Sequence, residues 1–258
     1  DKPTVTEAYG RGSIVHAANS TCRNLNITGL SAMDLRTYKE NREPWNFSKK
    51  ADRDLARKEV AEKKPTWLIG SPPCTAFCQL LNLNYVKMSQ DQVQRYLTEG
   101  RLHLHFVLSL YGEQLRHGRH CLHEHPAGAA SWADPWTQRI MQHPRVHIDV
   151  SDQCMYGLLS PGDDGVMRLA KKPTKWMTSS AQMAHRLSTR CSREHVHQPL
   201  LSGRARAAEI YPELRKIFVF MFESSGFKEI KISGNAIITY LYDMILLPPL
   251  SLESVWRI

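Results

Sequence analysis

The stretch that most restricts the fold covers residues 67–79 and centres on Cys74. It opens with three apolar strand-forming residues, 67–69, and Gly-Ser-Pro-Pro follows before the cysteine. Proline has no N–H for a strand ladder and its φ is fixed, so a buried strand has to end there. The Cys74 thiol is therefore predicted on a stiff loop at the carboxyl end of a strand, which is where open α/β sheets bind ligands. The alternative interpretation is a buried structural cysteine.

The segments around this loop alternate between strand and helix patterns. The best helix spans 89–117, with Ser89 and Gln92 as a capping box and Gly118 at its end. A charged helix is predicted at 48–64, and further strands at 4–10, 30–35, 120–125, 146–150 and 175–178. This alternation predicts an α/β fold with a mostly parallel twisted sheet and helices on both faces.

Three regions are predicted along the chain: residues 1–179 form the core, residues 180–230 a small basic C-terminal lobe, and residues 231–258 a segment that returns to the core. The chain has 34 Lys+Arg against 25 Asp+Glu, a formal net charge of +9. A basic balance favours a polyanionic partner, because cationic side chains displace the counterions of phosphates. A solvated basic surface is the alternative. The predicted nucleic-acid contacts are Arg186, Arg190, Arg204 and Arg206.

Six cysteines are spread along the chain without the close pairs of a secreted disulfide scaffold. This distribution predicts free thiols in a reducing intracellular compartment, the nucleus if the host is a eukaryote. The sequence shows neither the residue order of a signal peptide nor an apolar run as long as a membrane span, so no membrane partner is predicted. Because residue 1 is Asp, we expect a trimmed chain or a piece of a longer polypeptide.

The first strand ends at a glycine turn. Tyr9, Gly10 and Gly12 lead from that strand into an apolar-periodic helical segment, the order of a nucleotide-binding βα unit. Asp34 ends the second strand, about 20 residues beyond the turn, where a carboxylate can hold a ribose diol. The alternatives are an ordinary βα turn and a helix-capping or surface acid.

The strand that follows the long helix carries Glu124 and stops at Pro126. Strands that are neighbours in the sequence of a parallel sheet are usually neighbours in space, so Cys74 and Glu124 are expected to face one pocket. A thiolate and a carboxylic acid together suit covalent attack on an electrophilic ring, with the acid holding or donating a proton. Cytosine fits this pair, because its C6 becomes electrophilic when N3 is hydrogen-bonded or protonated.

The Cys74 loop resembles the catalytic motif of cytosine-C5 methyltransferases, commonly G-x-P-P-C-Q-x-F-S. Three further segments, Leu-His-Glu-His-Pro around Glu124, Cys-Met-Tyr-Gly-Leu at 154–158 and Gly-Asn-Ala at 234–236, resemble that family's motifs in the same order. More loosely, the chain resembles methyltransferase-like domains of mobile-element polyproteins. The resemblance implies a Rossmann-like fold that binds S-adenosylmethionine and methylates C5 of a flipped cytosine, with DNA favoured over RNA.

The same resemblance implies roles for individual residues. Cys74 attacks C6 and Glu124 contacts N3 and the exocyclic amine. Asp34 holds the cofactor ribose, while the turn of Tyr9, Gly10 and Gly12 approaches the methionine part. Ser71 and Pro72 in the loop and Asn235 are the other cofactor-binding residues. Arg168 or Lys172 takes the place of the family's arginine pair at the cytosine carbonyl.

The chain departs from the family pattern at several positions. Thr75 replaces Gln, Cys78 replaces Ser, and His125-Pro126 replaces Asn-Val. Three alternatives therefore stay open: a catalytically degenerate nucleic-acid-binding domain, an RNA methyltransferase, and a methyltransferase directed at an amino group. The last class carries an aromatic ring after Pro-Pro that stacks on the base, which Cys74 cannot do.

A metal site is also considered at Cys191-x-x-x-His195-x-His197, with Cys154 as a fourth ligand. Structural zinc usually has two pairs of closely spaced ligands, and the sequence shows only one such half. Histidines near phosphate on a basic surface are the favoured interpretation, so no metal is predicted.

Overall fold

The computed structural model describes residues 2–20, 27–78, 85 and 87–200. Most of the predicted basic lobe, with Arg204 and Arg206, lies outside the described residues. The predicted C-terminal segment and Asn235 lie outside them as well.

Within the described residues, six strands form one sheet in the order β2-β1-β3-β4-β8-β5. The first four strands of that order pair in parallel, and β8 is antiparallel to both of its neighbours. A separate antiparallel hairpin, β6–β7, stands between β5 and β8 in the chain. The strand bounds are Thr4–Ala8 (β1), Thr28–Met33 (β2), Trp67–Gly70 (β3), His120–Pro126 (β4), His147–Asp152 (β5), Leu159–Pro161 (β6), Met167–Leu169 (β7) and Pro173–Thr178 (β8).

Helices pack on both faces of this sheet. The described helices are Ser13–Asn19 (α1), Lys50–Lys63 (α2), Gln90–Arg116 (α3), Pro135–Met141 (α4) and Ala181–Arg186 (α5). One buried cluster joins α2 and α3 to the sheet, and another joins α1 and α5 to the opposite face. Among the described residues, no helix combines the length and the apolarity that crossing a membrane requires.

The predicted α/β class and the mostly parallel sheet are confirmed. The Trp67–Gly70 strand does end at the Pro-Pro, and β3 lies directly beside β4 with Gly70 opposite His123. The capping box of Ser89 and Gln92 begins the long helix as predicted. The antiparallel insertion of β8 between β4 and β5 was not predicted, because strand order depends on contacts that short sequence patterns do not encode.

Helix α3 is tied to the two central strands by Tyr111. Its hydroxyl lies 3.1 Å from the Gly70 carbonyl and 3.3 Å from the Leu122 carbonyl, both of which are acceptors. The approach is close because Gly70 has no side chain: a Cβ there would meet the Tyr111 hydroxyl and lie 2.7 Å from Cγ2 of Val107. The glycine that ends β3 is therefore required by packing against α3.

We expect Gly70→Ala to lower the free energy of unfolding by about 1–3 kcal/mol, because the added methyl overpacks a filled interface. Gly112→Ala is the matched control, since Gly112 lies within α3 and a Cβ there would meet only Ile140 Cδ1 at 4.0 Å. That control should raise the free energy of unfolding by up to about 1 kcal/mol through helix propensity. Urea unfolding of both variants tests the pair, and shifts of the same sign would contradict the packing argument.

Candidate active site

The sheet has a topological switch point at β1. Strand β2 pairs with one edge of β1 and β3 with the other, so the loops after these strands diverge at the carboxyl end of the sheet. Ligands of open α/β sheets bind in the crevice that this divergence creates. A cavity of about 300 Å³ lies in this crevice, and its volume is within the size range of small-ligand sites. We call it the switch-point cavity. It is lined by Tyr9, Asp34, Leu35, Trp45, Asn46, Phe47, Ser48, Pro73, Thr75, Ala76, Tyr96, Glu99, Gly100 and His103.

Asp34 lies in the cavity wall directly after β2, where the sequence placed it. Its Oδ1 accepts the Arg36 N–H at 3.0 Å, and the Thr37 hydroxyl accepts the Asp34 N–H at 2.8 Å. These local hydrogen bonds fix the turn, so the half-buried carboxylate is held at the cavity.

Tyr9 lines the same cavity from the end of β1, with a left-handed φ of 61°. Its hydroxyl lies 2.9 Å from Nδ1 of His103, and its ring meets Phe47 edge-on at 4.9 Å. Burial raises the pKa of the Tyr9 hydroxyl and lowers the pKa of His103, so both side chains are neutral near pH 7. Sequence analysis missed His103, which lies among the apolar residues of α3 and carries no motif.

Gly10 and Gly12 of the predicted turn lead into α1 and, unlike Tyr9, are not among the residues that line the cavity. Gly12 has a φ of 81°, and a Cβ on Gly10 would collide with Glu7. The Glu7 side chain accepts the Ile14 N–H at 3.1 Å, beneath the start of α1. Burial raises the pKa of Glu7 to about 7, against the lowering effect of the backbone N–H groups. Glu7 was missed, although a carboxyl inside the apolar strand β1 is a signal in itself.

The Cys74 loop is fixed by backbone hydrogen bonds on each side of the cysteine. The Ser71 N–H donates to the Ala8 carbonyl at 3.3 Å, and the Cys74 carbonyl accepts the Phe77 N–H at 2.9 Å to start a 3-10 turn. Pro73 and Thr75, the neighbours of Cys74, line the cavity, whereas Ser71 and Pro72 are not among its lining residues. Cys74 is half-buried, and these hydrogen bonds are consistent with the predicted stiff loop.

His125 holds this loop from the next strand. Its Nε2 donates to the Pro72 carbonyl at 2.9 Å, and its Nδ1 lies 2.6 Å from the Ser131 hydroxyl. Burial lowers the pKa of His125, so the ring is neutral and Nδ1 accepts the proton of the Ser131 hydroxyl. The departure from the family pattern at this position therefore has a structural role.

Charges of both signs act on the Cys74 thiol. Burial raises its pKa to about 11, the Glu124 carboxylate adds to the rise, and the Lys172 ammonium opposes it. Glu124 is buried, with a relative exposure of 8%, near the carboxyl end of β4. The structure therefore brings Cys74, Glu124 and Lys172 within electrostatic reach of one another.

Of the two candidates for holding the cytosine carbonyl, Lys172 is the one whose charge acts on Cys74. Its backbone φ is 28°, a value that lysine rarely adopts and that occurs preferentially at functional sites. Arg168 lies on β7, where its guanidinium pairs with both carboxylate oxygens of Asp164 at 2.6 and 2.8 Å.

The basic residues that the structure describes lie beyond β8. Arg186 ends α5, and Arg190 pairs with Asp152 at 3.0 Å while most of its side chain stays exposed. Their contact with nucleic acid stays a prediction. Neither the protein-family models nor the curated proteins compared with the chain gave a match.

Proposed function

We propose that the chain is an S-adenosylmethionine-dependent methyltransferase that acts on C5 of cytosine in nucleic acid, with DNA favoured over RNA. The observation that carries the proposal is the Cys74 loop. Two of its residues line the switch-point cavity, and it also carries the thiol whose pKa is affected by the charges of Glu124 and Lys172. The mostly parallel sheet with helices on both faces is compatible with a Rossmann-like methyltransferase core.

The switch-point cavity suits the cofactor. Asp34 presents a carboxylate for a ribose diol, and Trp45 and Phe47 supply aromatic surface for a purine ring. The cofactor, when bound, supplies an electrophilic methyl group. Since Pro73 and Thr75 line this cavity on either side of Cys74, the cofactor and the thiol would be neighbours.

The chain's own residues account for activation of the base. The Cys74 thiol first loses its proton to solvent, and the thiolate sulfur then forms a bond to C6 of cytosine. Glu124, as the carboxylic acid, donates its proton to N3 and accepts a hydrogen bond from the exocyclic amine, so C5 becomes nucleophilic once sulfur has added to C6. Lys172 pairs with the cytosine carbonyl oxygen and favours the thiolate. After methylation, water takes the C5 proton, the electrons of the C5–H bond restore the C5–C6 double bond, and the sulfur leaves as the thiolate. The N3 proton returns to Glu124.

Incubation with radiolabelled S-adenosylmethionine and separate DNA and RNA pools, followed by nucleoside analysis, tests the proposal. We expect label in 5-methylcytosine from the DNA pool. The same product from the RNA pool alone would show that RNA is the substrate. Label on N4 of cytosine or N6 of adenine would contradict the covalent route. Nucleic-acid binding without any label would favour the degenerate domain.

One observation favours that degenerate alternative. A thiol pKa of about 11 leaves only about one thiolate in 10⁴ at pH 7. In a non-catalytic domain this protonated thiol would be only a packing group. In an enzyme it makes the rate depend steeply on pH, so the two interpretations are separable.

We therefore expect the single-turnover rate of methyl transfer to rise about tenfold per pH unit between pH 6 and 9. The sign follows from the raised pKa, because the thiolate fraction grows with pH until the pKa of about 11 is reached. Saturating cofactor and oligonucleotide at each pH isolate the chemical step, and cofactor affinity over the same range is the control. A rate that is flat or falls with pH would contradict thiolate attack.

A further inference from the structure

A second group of reactive side chains lies apart from the Cys74 loop. Two thiols and two imidazoles bring one ligand atom each to within 4.8 Å of all the others. We call this set the Cys2His2 cluster, and it consists of Cys154, Cys191, His195 and His197.

The two distances from the Cys191 sulfur match those of a tetrahedral metal site. The Cys191 sulfur lies 3.6 Å from Nε2 of His195 and 3.3 Å from Nε2 of His197. Zn–S bonds of about 2.3 Å and Zn–N bonds of about 2.0–2.1 Å place sulfur and nitrogen about 3.5 Å apart at tetrahedral angles. The spacing of these ligand atoms is therefore that of atoms bound to a zinc ion.

The surrounding fold holds the ligands in place. Cys154 lies in the 3-10 turn that follows β5, and the other three ligands lie on a strap, residues 188–200, that has neither helix nor strand. The Asp152 carboxylate accepts the Cys191 N–H at 2.9 Å. The strap is also fixed by the Gln198 N–H, which donates to the Leu169 carbonyl at 2.8 Å.

We propose that the Cys2His2 cluster binds one Zn²⁺ ion in a closed structural site. Two thiolates with two imidazoles in a tetrahedron suit zinc, whereas magnesium and calcium prefer oxygen ligands. The ion links the strap to the end of β5. The strap needs such a link because it lacks the ladder hydrogen bonds of a sheet. The proposal does not depend on the methyltransferase function.

This proposal reverses the interpretation that the sequence favoured. The sequence named Cys154 as a fourth ligand, but only the half-site in the strap has the spacing of a zinc motif, and the fold is what brings Cys154 to it. The histidines are therefore better explained as metal ligands than as a basic surface near phosphate.

The metal content of the untagged chain, purified without chelator, tests the proposal. We expect one equivalent of zinc, and its replacement by Co²⁺ should give the visible absorption bands of tetrahedral thiolate-bound cobalt. Cys191→Ser and His197→Ala should lose the zinc and these bands. Cys78→Ser and the exposed His185→Ala are matched controls that should keep both.

Three results would overturn the proposal. They are a metal-free chain that gives no cobalt bands on titration, zinc that persists in Cys191→Ser, and a Cys154–Cys191 disulfide found by mass spectrometry. Titration of the wild-type chain with Co²⁺, after a chelator has removed the bound metal, decides the question even if the variants fold poorly. Alkylation of Cys191 should also be slow in the native chain and become fast after chelation, and equal rates would count against a bound ion.

Discussion

Cys74→Ala is expected to lower the rate of methyl transfer by on the order of 10⁴-fold or more, because it removes the atom that bonds to C6. Cofactor affinity should change by no more than a few-fold, since the thiol does not line the switch-point cavity. The rate is measured under single-turnover conditions with labelled cofactor, and the affinity by calorimetry on the same preparation.

An adduct experiment gives this prediction a second readout. An oligonucleotide with 5-fluorocytosine should form a denaturant-resistant adduct with the native chain, because fluorine cannot leave C5 as a proton does. The Cys74→Ala variant should form none, while Cys78→Ala, on the same loop, should form it normally. Loss of transfer and cofactor binding together would indicate a folding role for Cys74, and retained transfer would exclude it as the nucleophile.

Glu124→Gln should lower methyl transfer by about 10²–10⁴-fold, the usual contribution of a positioned acid or base. The same change should speed alkylation of Cys74 by iodoacetamide, because the Glu124 carboxylate helps to raise the thiol pKa. Opposite changes in transfer and alkylation distinguish a chemical role for Glu124 from a structural one. Alkylation is measured by mass spectrometry at the Cys74 peptide.

Asp149→Asn is the matched control for this variant. Glu124 and Asp149 both lie opposite Trp176 in the sheet, one from β4 and the other from β5. The control should leave transfer and Cys74 alkylation near their native values. If Glu124→Gln left alkylation unchanged, or if transfer fell only as the protein unfolded, the assignment of Glu124 to the reacting pair would be wrong.

The sequence predicts those parts of the fold that short-range physics determines. Pro72 and Pro73 end β3 because proline cannot continue a ladder, and Ser89 begins α3 through its capping box. The adjacency of β3 and β4 followed from the tendency of sequential strands to pair. The position of β8 could not be predicted, since it depends on a choice between pairing partners that several strands share.

Within the candidate site, the limit of sequence prediction lies at contacts between distant segments. The Cys74 loop was found because Pro-Pro-Cys is a local pattern. His125 was recognised only as a departure from a motif, since its partner is the Pro72 carbonyl and any residue has a carbonyl. Glu7, His103 and the Cys2His2 cluster also depend on partners that only the folded chain brings close.

Helix α3 contacts both the switch-point cavity and the two central strands, and this has a consequence for how ligand binding at the two parts of the proposed site is related. Tyr96, Glu99, Gly100 and His103 in its first half line the switch-point cavity. Tyr111 in its second half contacts β3, which leads into the Cys74 loop, and β4, which carries Glu124. A helix of 27 residues moves largely as one rigid body, so a displacement of its first half also displaces its second half. We expect bound S-adenosylmethionine to change the affinity for the nucleic acid. Thermodynamic reciprocity then requires that bound nucleic acid change the affinity for S-adenosylmethionine by the same factor.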